Sequence, residues 1–193
     1  MERDVHFCSF YRKEHIGEKR SKVINKENAQ INILETLSDV EELQKRYAHI
    51  HVIYTSEEPN GEKIREMNQY METHQISWSL LTVDSERLMI GPTLYPGQTG
   101  CLSCNLEMDR VCNKYNLMPY EANLIVGMFM SDIGKVIGTM EEAIVEDISI
   151  TISRAFYIDR HTMEGRSVDM ERHLDCPICG PGKKGYLCIK NCR

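Results

Sequence analysis

Long apolar runs are missing from this 193-residue chain. No stretch approaches the ~18–20 residues that cross a bilayer as a helix. The N-terminus, MERDVHFCSFYRKEH, carries charges where a secretory signal needs an apolar core, so a cytoplasmic protein is expected. An excess of basic charge is missing as well. The chain has 23 Lys and Arg against 29 Asp and Glu, a net charge of −6, and its pI is near 5.7. Nucleic-acid binders neutralise phosphates with clustered cations. The clusters here, Arg12 to Arg20 and Lys183–Lys184, read as solvated faces, which argues against a nucleic-acid partner. Glycine is scarce early on: only Gly17 and Gly61 precede residue 91. The Gly-x-Gly-x-x-Gly turn that cradles nucleotide phosphates is therefore absent from that half.

Cysteine is what the chain does have. Its eight cysteines include two Cys-x-x-Cys pairs, CLSC at 101–104 and CPIC at 176–179, with 71 residues between them. A cytoplasmic setting argues against a disulfide framework. Glycine and proline flank both pairs, in GPTLYPGQTG before the first and CPICGPG across the second. Such turns let two thiolates of one short segment point at one ion. Two of them supply the four soft ligands of a closed tetrahedral zinc site. The expected ligands are Cys101, Cys104, Cys176 and Cys179, which would staple two distant parts of the fold. Cys112 reads as a buried thiol, and Cys188 and Cys192 as part of a tail. No cysteine stands out as a nucleophile, and no other catalytic or cofactor-binding residue is identified. His173, three residues before Cys176, is a candidate for the shell around the metal. His49 and His51 read as structural, Met67, Met71, Met128 and Met130 as core, and Trp78 as core or interface.

The patterning predicts an extended arm over residues 1–15 and a short helix from Gly17 to about Gln30. A strand follows at 31–37, then a helix capped by Ser38 with Glu41 at capping-box spacing. HIHVIYT at 49–55 is β-branched and predicts a buried strand. A helix with Ile64, Met67, Tyr70 and Met71 on one face comes next. Two strands at 76–84 and 86–96, turning at Asp84–Ser85, lead to the first cysteine pair. A helix after that pair is expected to stop at Pro119, and another to run from Ala122 to Ile137. Its Gly127, Ser131, Gly134 and Gly138 form a small-residue track suited to close approach by a neighbour. A half-exposed strand lies within 146–161. Alternation of strand and helix up to residue 84 predicts a parallel sheet with crossover helices, and the remainder predicts an antiparallel extension. The fold class is thus α/β, a partial Rossmann-like sheet with a four-cysteine zinc site. The domain spans 16–180, and 181–193 forms a tail.

In this order the segments resemble the ubiquitin-activating-enzyme-like ThiF/MoeB proteins, in particular the branch linked to thiazole/oxazole-modified peptides. The resemblance rests on HIGEKRSK (15–22), SDVEELQKRYAHIHVIYTSEEP (38–59), EKIREMNQYMETHQISWSLLTVD (62–84), GPTLYPGQTGCLSC (91–104) and HLDCPICG (173–180). The Gly-Pro, Pro-Gly and Cys-x-x-Cys run is its most specific part. Activating enzymes of this family hold ATP with a glycine turn after their first strand. The resemblance therefore implies a truncated member that begins after that half and lacks the means to adenylate. It further implies a non-catalytic scaffold that presents a precursor peptide to a YcaO-type cyclodehydratase, with leader recognition left to another chain or to an exposed edge. The alternatives are a subunit of a split ATP-dependent activating enzyme and a zinc-stabilised nucleic-acid-binding module. An oligomer or hetero-complex is expected, because half a domain exposes faces that its missing part would cover.

Overall fold

The computed structural model describes residues 5–10, 29–34, 36–47, 50–56, 61–105, 118–140 and 150–180. Among the described residues seven strands form one sheet in the order β2-β1-β3-β4-β5-β6-β7. The strands are β1 (Val5–Phe10), β2 (Ala29–Leu34), β3 (Ile50–Ser56), β4 (Ser77–Val83), β5 (Arg87–Leu94), β6 (Arg154–Asp159) and β7 (Gly165–Asp169). The helices are α1 (Leu37–Arg46), α2 (Gly61–His74), the single turn α3 (Leu102–Asn105) and α4 (Pro119–Met140).

The β2-β1, β1-β3 and β3-β4 pairs are parallel, and β4-β5, β5-β6 and β6-β7 are antiparallel. The α/β class and the antiparallel extension therefore stand as expected. The first strand differs from expectation. Val5–Phe10 is extended, but it lies inside the sheet between β2 and β3 rather than beside it as an arm. The chain consequently has a strand where the truncated reading expected the fold to begin later. Ala29 and Gln30, placed in the expected first helix, belong to β2; residues 17–28 of that expected helix, with His49, Cys112, Cys188, Cys192 and the 181–193 tail, lie outside the described residues.

Alternation sorts the core to two faces. In β5, Met89 faces the cluster that contains α1 and α2, while Leu88 and Ile90 face the cluster that contains α4. From Ser79 to Leu81 β4 advances two residues, but β5 advances three between Ile90 and Thr93. This extra residue turns Thr93 onto the α4 side. On the first face Val40, Leu43, Ile64, Met67 and Met71 pack over Val52, Trp78 and Leu80. On the second Ile125, Phe129 and Ile133 pack over Ile53, Leu81 and Ile158. Met128 and Met130 pack partly buried against the same cluster. Trp78 is fully buried, a core residue.

Both helix starts shift from their expected places. The α1 cap is Thr36, whose N–H donates to Asp39 Oδ2 at 2.8 Å. The Thr36–Asp39 pair has the same spacing as Ser38–Glu41 but lies two residues earlier, where β2 ends. Pro119 opens α4 three residues before the expected Ala122, because the first helical position needs no N–H; residues 106–117, where the preceding helix was expected, lie outside the described residues. Met118 N–H donates to Glu121 Oε2 at 3.0 Å, completing that cap. Glu121 also pairs with Arg160 at 2.7 Å, both side chains being nearly enclosed. Arg160 Nη1 donates to the carbonyls of Asp84 and Ser85 at 3.1 and 3.0 Å, locking α4 to the β4–β5 turn. At two positions of the track on α4 the expected close approach is missing among the described residues: a Cβ at Gly127 or Gly134 would meet nothing within 4 Å.

Candidate metal centre

The first cysteine turn follows β5. Tyr95 O accepts the N–H groups of Gln98 and Thr99 at 2.9 and 3.0 Å, with Pro96 and Gly97 at the corner. The second turn follows β7, where Cys176 N–H donates to His173 O at 3.2 Å and Gly180 N–H to Cys176 O at 2.9 Å. A Cβ at Gly180 would stand 2.4 Å from Cys176 O, so only glycine closes this knuckle. Gly100 plays the equivalent part in the first turn. Its N–H donates to Met170 O at 3.2 Å, and a Cβ there would lie 2.6 Å from both Met170 O and Glu171 O. The chain leaving β7 can therefore run directly over the first turn.

These turns bring all four expected ligands together. The sulfurs of Cys101, Cys104, Cys176 and Cys179 all lie within 4.8 Å of one another. Cys101 and Cys104 are 3.9 Å apart, Cys101 and Cys176 3.6 Å, and Cys104 and Cys179 3.2 Å. A disulfide needs about 2.05 Å. Tetrahedral zinc with bonds of about 2.3 Å sets its sulfurs roughly 3.8 Å apart. The donor set and its spacing therefore fit a four-thiolate metal centre. Cys101, Cys176 and Cys179 are buried, and Cys104 is half-buried.

The electrostatics explain why such a centre needs a cation. Burial pushes the Cys101 thiol well above its ordinary range, and it raises Cys179 to about 12. Burial also resists ionisation of Cys176. There the N–H groups of Cys179 and Ile178, joined by the Cys104 and Cys101 thiols, prevail and bring it down to about 7. Four thiolates in so small a volume repel one another, and a dication held at this site would let all four ionise.

Two supporting residues carried no spacing signal. Asn68, buried on α2, accepts Leu102 N–H at 3.1 Å and donates to Ser103 Oγ at 3.2 Å. Arg172 donates to Cys179 O and to Gly97 O. His173, expected around the metal through its ring, contributes its backbone carbonyl and keeps its side chain exposed. His51 is structural as expected, with Nδ1 3.0 Å from Ser77 Oγ and Nε2 2.8 Å from Ser79 Oγ. From Ser79 the contacts continue through Thr93 (2.7 Å) and Thr151 (2.9 Å) to Asp132 on α4. From His51 through Ser79, Thr93 and Thr151 to Asp132 every residue is buried.

No protein-family model and no curated protein matches the chain. Solved structures do share the fold. A heterocyclase in complex with substrate and cofactor superimposes with a TM-score of 0.69 at 13% identity, over 93% of this chain and 26% of that one. The heterocyclase TruD gives 0.67 at 14% identity, over 93% and 28%. E. coli MccB with ATP gives 0.63 at 16% identity, over 91% and 58%. This chain therefore spans about a quarter of the two heterocyclases and under two thirds of MccB.

Proposed function

We propose that the chain is a non-catalytic scaffold in the biosynthesis of a ribosomally made, azole-containing peptide of the bacteriocin or thiopeptide type. In this reading it presents the precursor peptide to a YcaO-type cyclodehydratase. That enzyme supplies the ATP chemistry that closes Cys and Ser/Thr residues into azolines. The carrying observation is the superposition of 93% of the chain on a heterocyclase solved with its substrate. MccB, solved together with MccA, has the same fold. The metal in this reading is zinc and its role is structural, because four thiolates leave no coordination position for a substrate. Leader recognition falls to a separate chain or to an exposed sheet edge. The protein works in the cytoplasm, as a homo-oligomer or in a hetero-complex.

The segment between β1 and β2 supports the non-catalytic assignment. It follows the central parallel strand, where a nucleotide-binding fold places its phosphate turn. Residues 11–28 contain one glycine, Gly17. Reconstitution tests the reading. Tagged chain should retain the cyclodehydratase and the precursor, and the loss of one water per ring should depend on it. If it captures neither and rings form equally well without it, the scaffold reading fails.

A second reading, a subunit of a split activating enzyme, draws on the sheet order. The chain switches from β2 on one side of β1 to β3 on the other, and open α/β sheets bind ligands at such points. It predicts pyrophosphate exchange that is absent with this chain alone and appears with its partner. No exchange in the mixture would dismiss it.

A further inference from the structure

The two cysteine turns are joined by an arginine as well as by their sulfurs. Arg172 leaves β7 three residues after its last strand position and reaches both turns at once. Its Nε and Nη2 donate to Cys179 O at 2.9 and 2.6 Å. Its Nη1 donates to Gly97 O at 3.0 Å, 75 residues away in sequence. One planar guanidinium therefore bridges the Pro96–Gly97 corner that leads to Cys101 and the backbone of the last ligand, Cys179. Three donors in a fixed fork suit this task, and an ammonium on a flexible stem cannot reproduce it.

We propose that Arg172 is a positioning residue for the metal, holding the two cysteine turns in register and offsetting the negative charge of the filled centre. The inference rests on the metal reading above. A dication with four thiolates keeps a net negative charge, and three of these four sulfurs are buried. Uncompensated charge in such a place is costly. The guanidinium delivers a permanent positive charge to the carbonyl of Cys179, one residue's backbone away from a ligand sulfur. Asp169, Glu171 and Asp175, the acidic residues nearest in sequence, are exposed to solvent, where their opposing charge is screened. Partners that orient metal ligands change metal affinity by 10–100-fold when removed.

The test compares the full chain with Arg172→Gln, which removes charge and fork, and Arg172→Lys, which keeps the charge alone. Metal content is measured first. Zinc affinity is then read by competition with a chromophoric chelator, and far-UV circular dichroism confirms folding. Arg172→Gln should bind zinc about 10–100-fold more weakly, with Arg172→Lys in between. The lysine variant carries the comparison if the glutamine variant does not fold. A structural staple alone would lower the melting temperature of all forms and leave the ratio of zinc affinities unchanged. Wild-type protein without metal overturns both the metal reading and this one. Wild-type protein with metal, and variants of equal affinity, overturn the role of Arg172 alone.

Discussion

Asn68 accepts the N–H of Leu102 at 3.1 Å, so a helix between two parallel strands holds the first cysteine turn in place. Its amide group also donates to Ser103 Oγ at 3.2 Å. Asn68→Ala strands the buried Leu102 N–H. A lost partner of this kind costs about 1–3 kcal/mol. Asn68→Asp keeps the acceptor but sets a negative charge beside four sulfurs, so it should harm metal retention more than stability. Urea unfolding and zinc content of the two variants check this, and wild-type values for both would refute it.

Glycines at two places should respond to a methyl group in opposite ways. At Gly100 the new Cβ would lie 2.6 Å from Met170 O and Glu171 O. Both obstacles are backbone, so Gly100→Ala must displace the chain leaving β7, at a cost of roughly 1–3 kcal/mol. At Gly127 the Cβ meets nothing within 4 Å among the described residues. There alanine should stabilise α4 by about 1 kcal/mol through its helix propensity. Thermal melts of the two variants should move apart, and a shift in the same direction would count against the geometry.

The elements read correctly in the sequence are those whose signal is local. Leu88, Met89 and Ile90 alternate between the two core faces, and the cysteine pairs advertise themselves by spacing. What stayed hidden depends on distant partners. Asn68 meets its N–H donor 34 residues away, and Arg172 meets Gly97 75 residues away, so neither forms a motif. Val5–Phe10 gains its place only by pairing with β2 and β3, which no short window reveals. The capping-box spacing of Ser38–Glu41 puts the α1 start at Ser38, but the cap is Thr36 with Asp39 at the same spacing. The end of β2 at Leu34 sets that earlier start.

His51 should impose a pH dependence on folding. Complete burial lowers its pKa from 6.5 to about 3. Between those values the unfolded chain binds the proton and the folded chain does not, so stability rises with pH. The contribution is whole above the unfolded pKa and is lost as pH falls from 6.5 toward 3. For one such group the loss between pH 7 and pH 5 is about 2 kcal/mol. His51→Gln should be less stable at pH 7, since it disturbs the contacts to Ser77 and Ser79, but it should lack this part of the slope. Urea midpoints at both pH values, compared between the two proteins, measure the difference. Parallel slopes would show that His51 does not carry it.

Removing the metal should loosen one side of the molecule before the other. The four thiols tie the segment after β5 to the segment after β7, and Asn68 extends that tie to α2. The α4 side is held separately, by the Arg160–Glu121 pair and the buried contacts from Asp132 to His51. Elemental analysis should find close to one zinc per chain. Chelation should then raise amide exchange first at α2 and at residues 165–180, with the middle of α4 still protected. A ligand at 1,000 times its Kd stabilises the folded state by about 4 kcal/mol, so zinc should raise the melting temperature in a concentration-dependent way. Cys101→Ser should abolish that dependence. A Cys101→Ser protein that is metal-free and as stable as the wild type would remove the metal from its place in this fold, because nothing would then depend on the four sulfurs meeting.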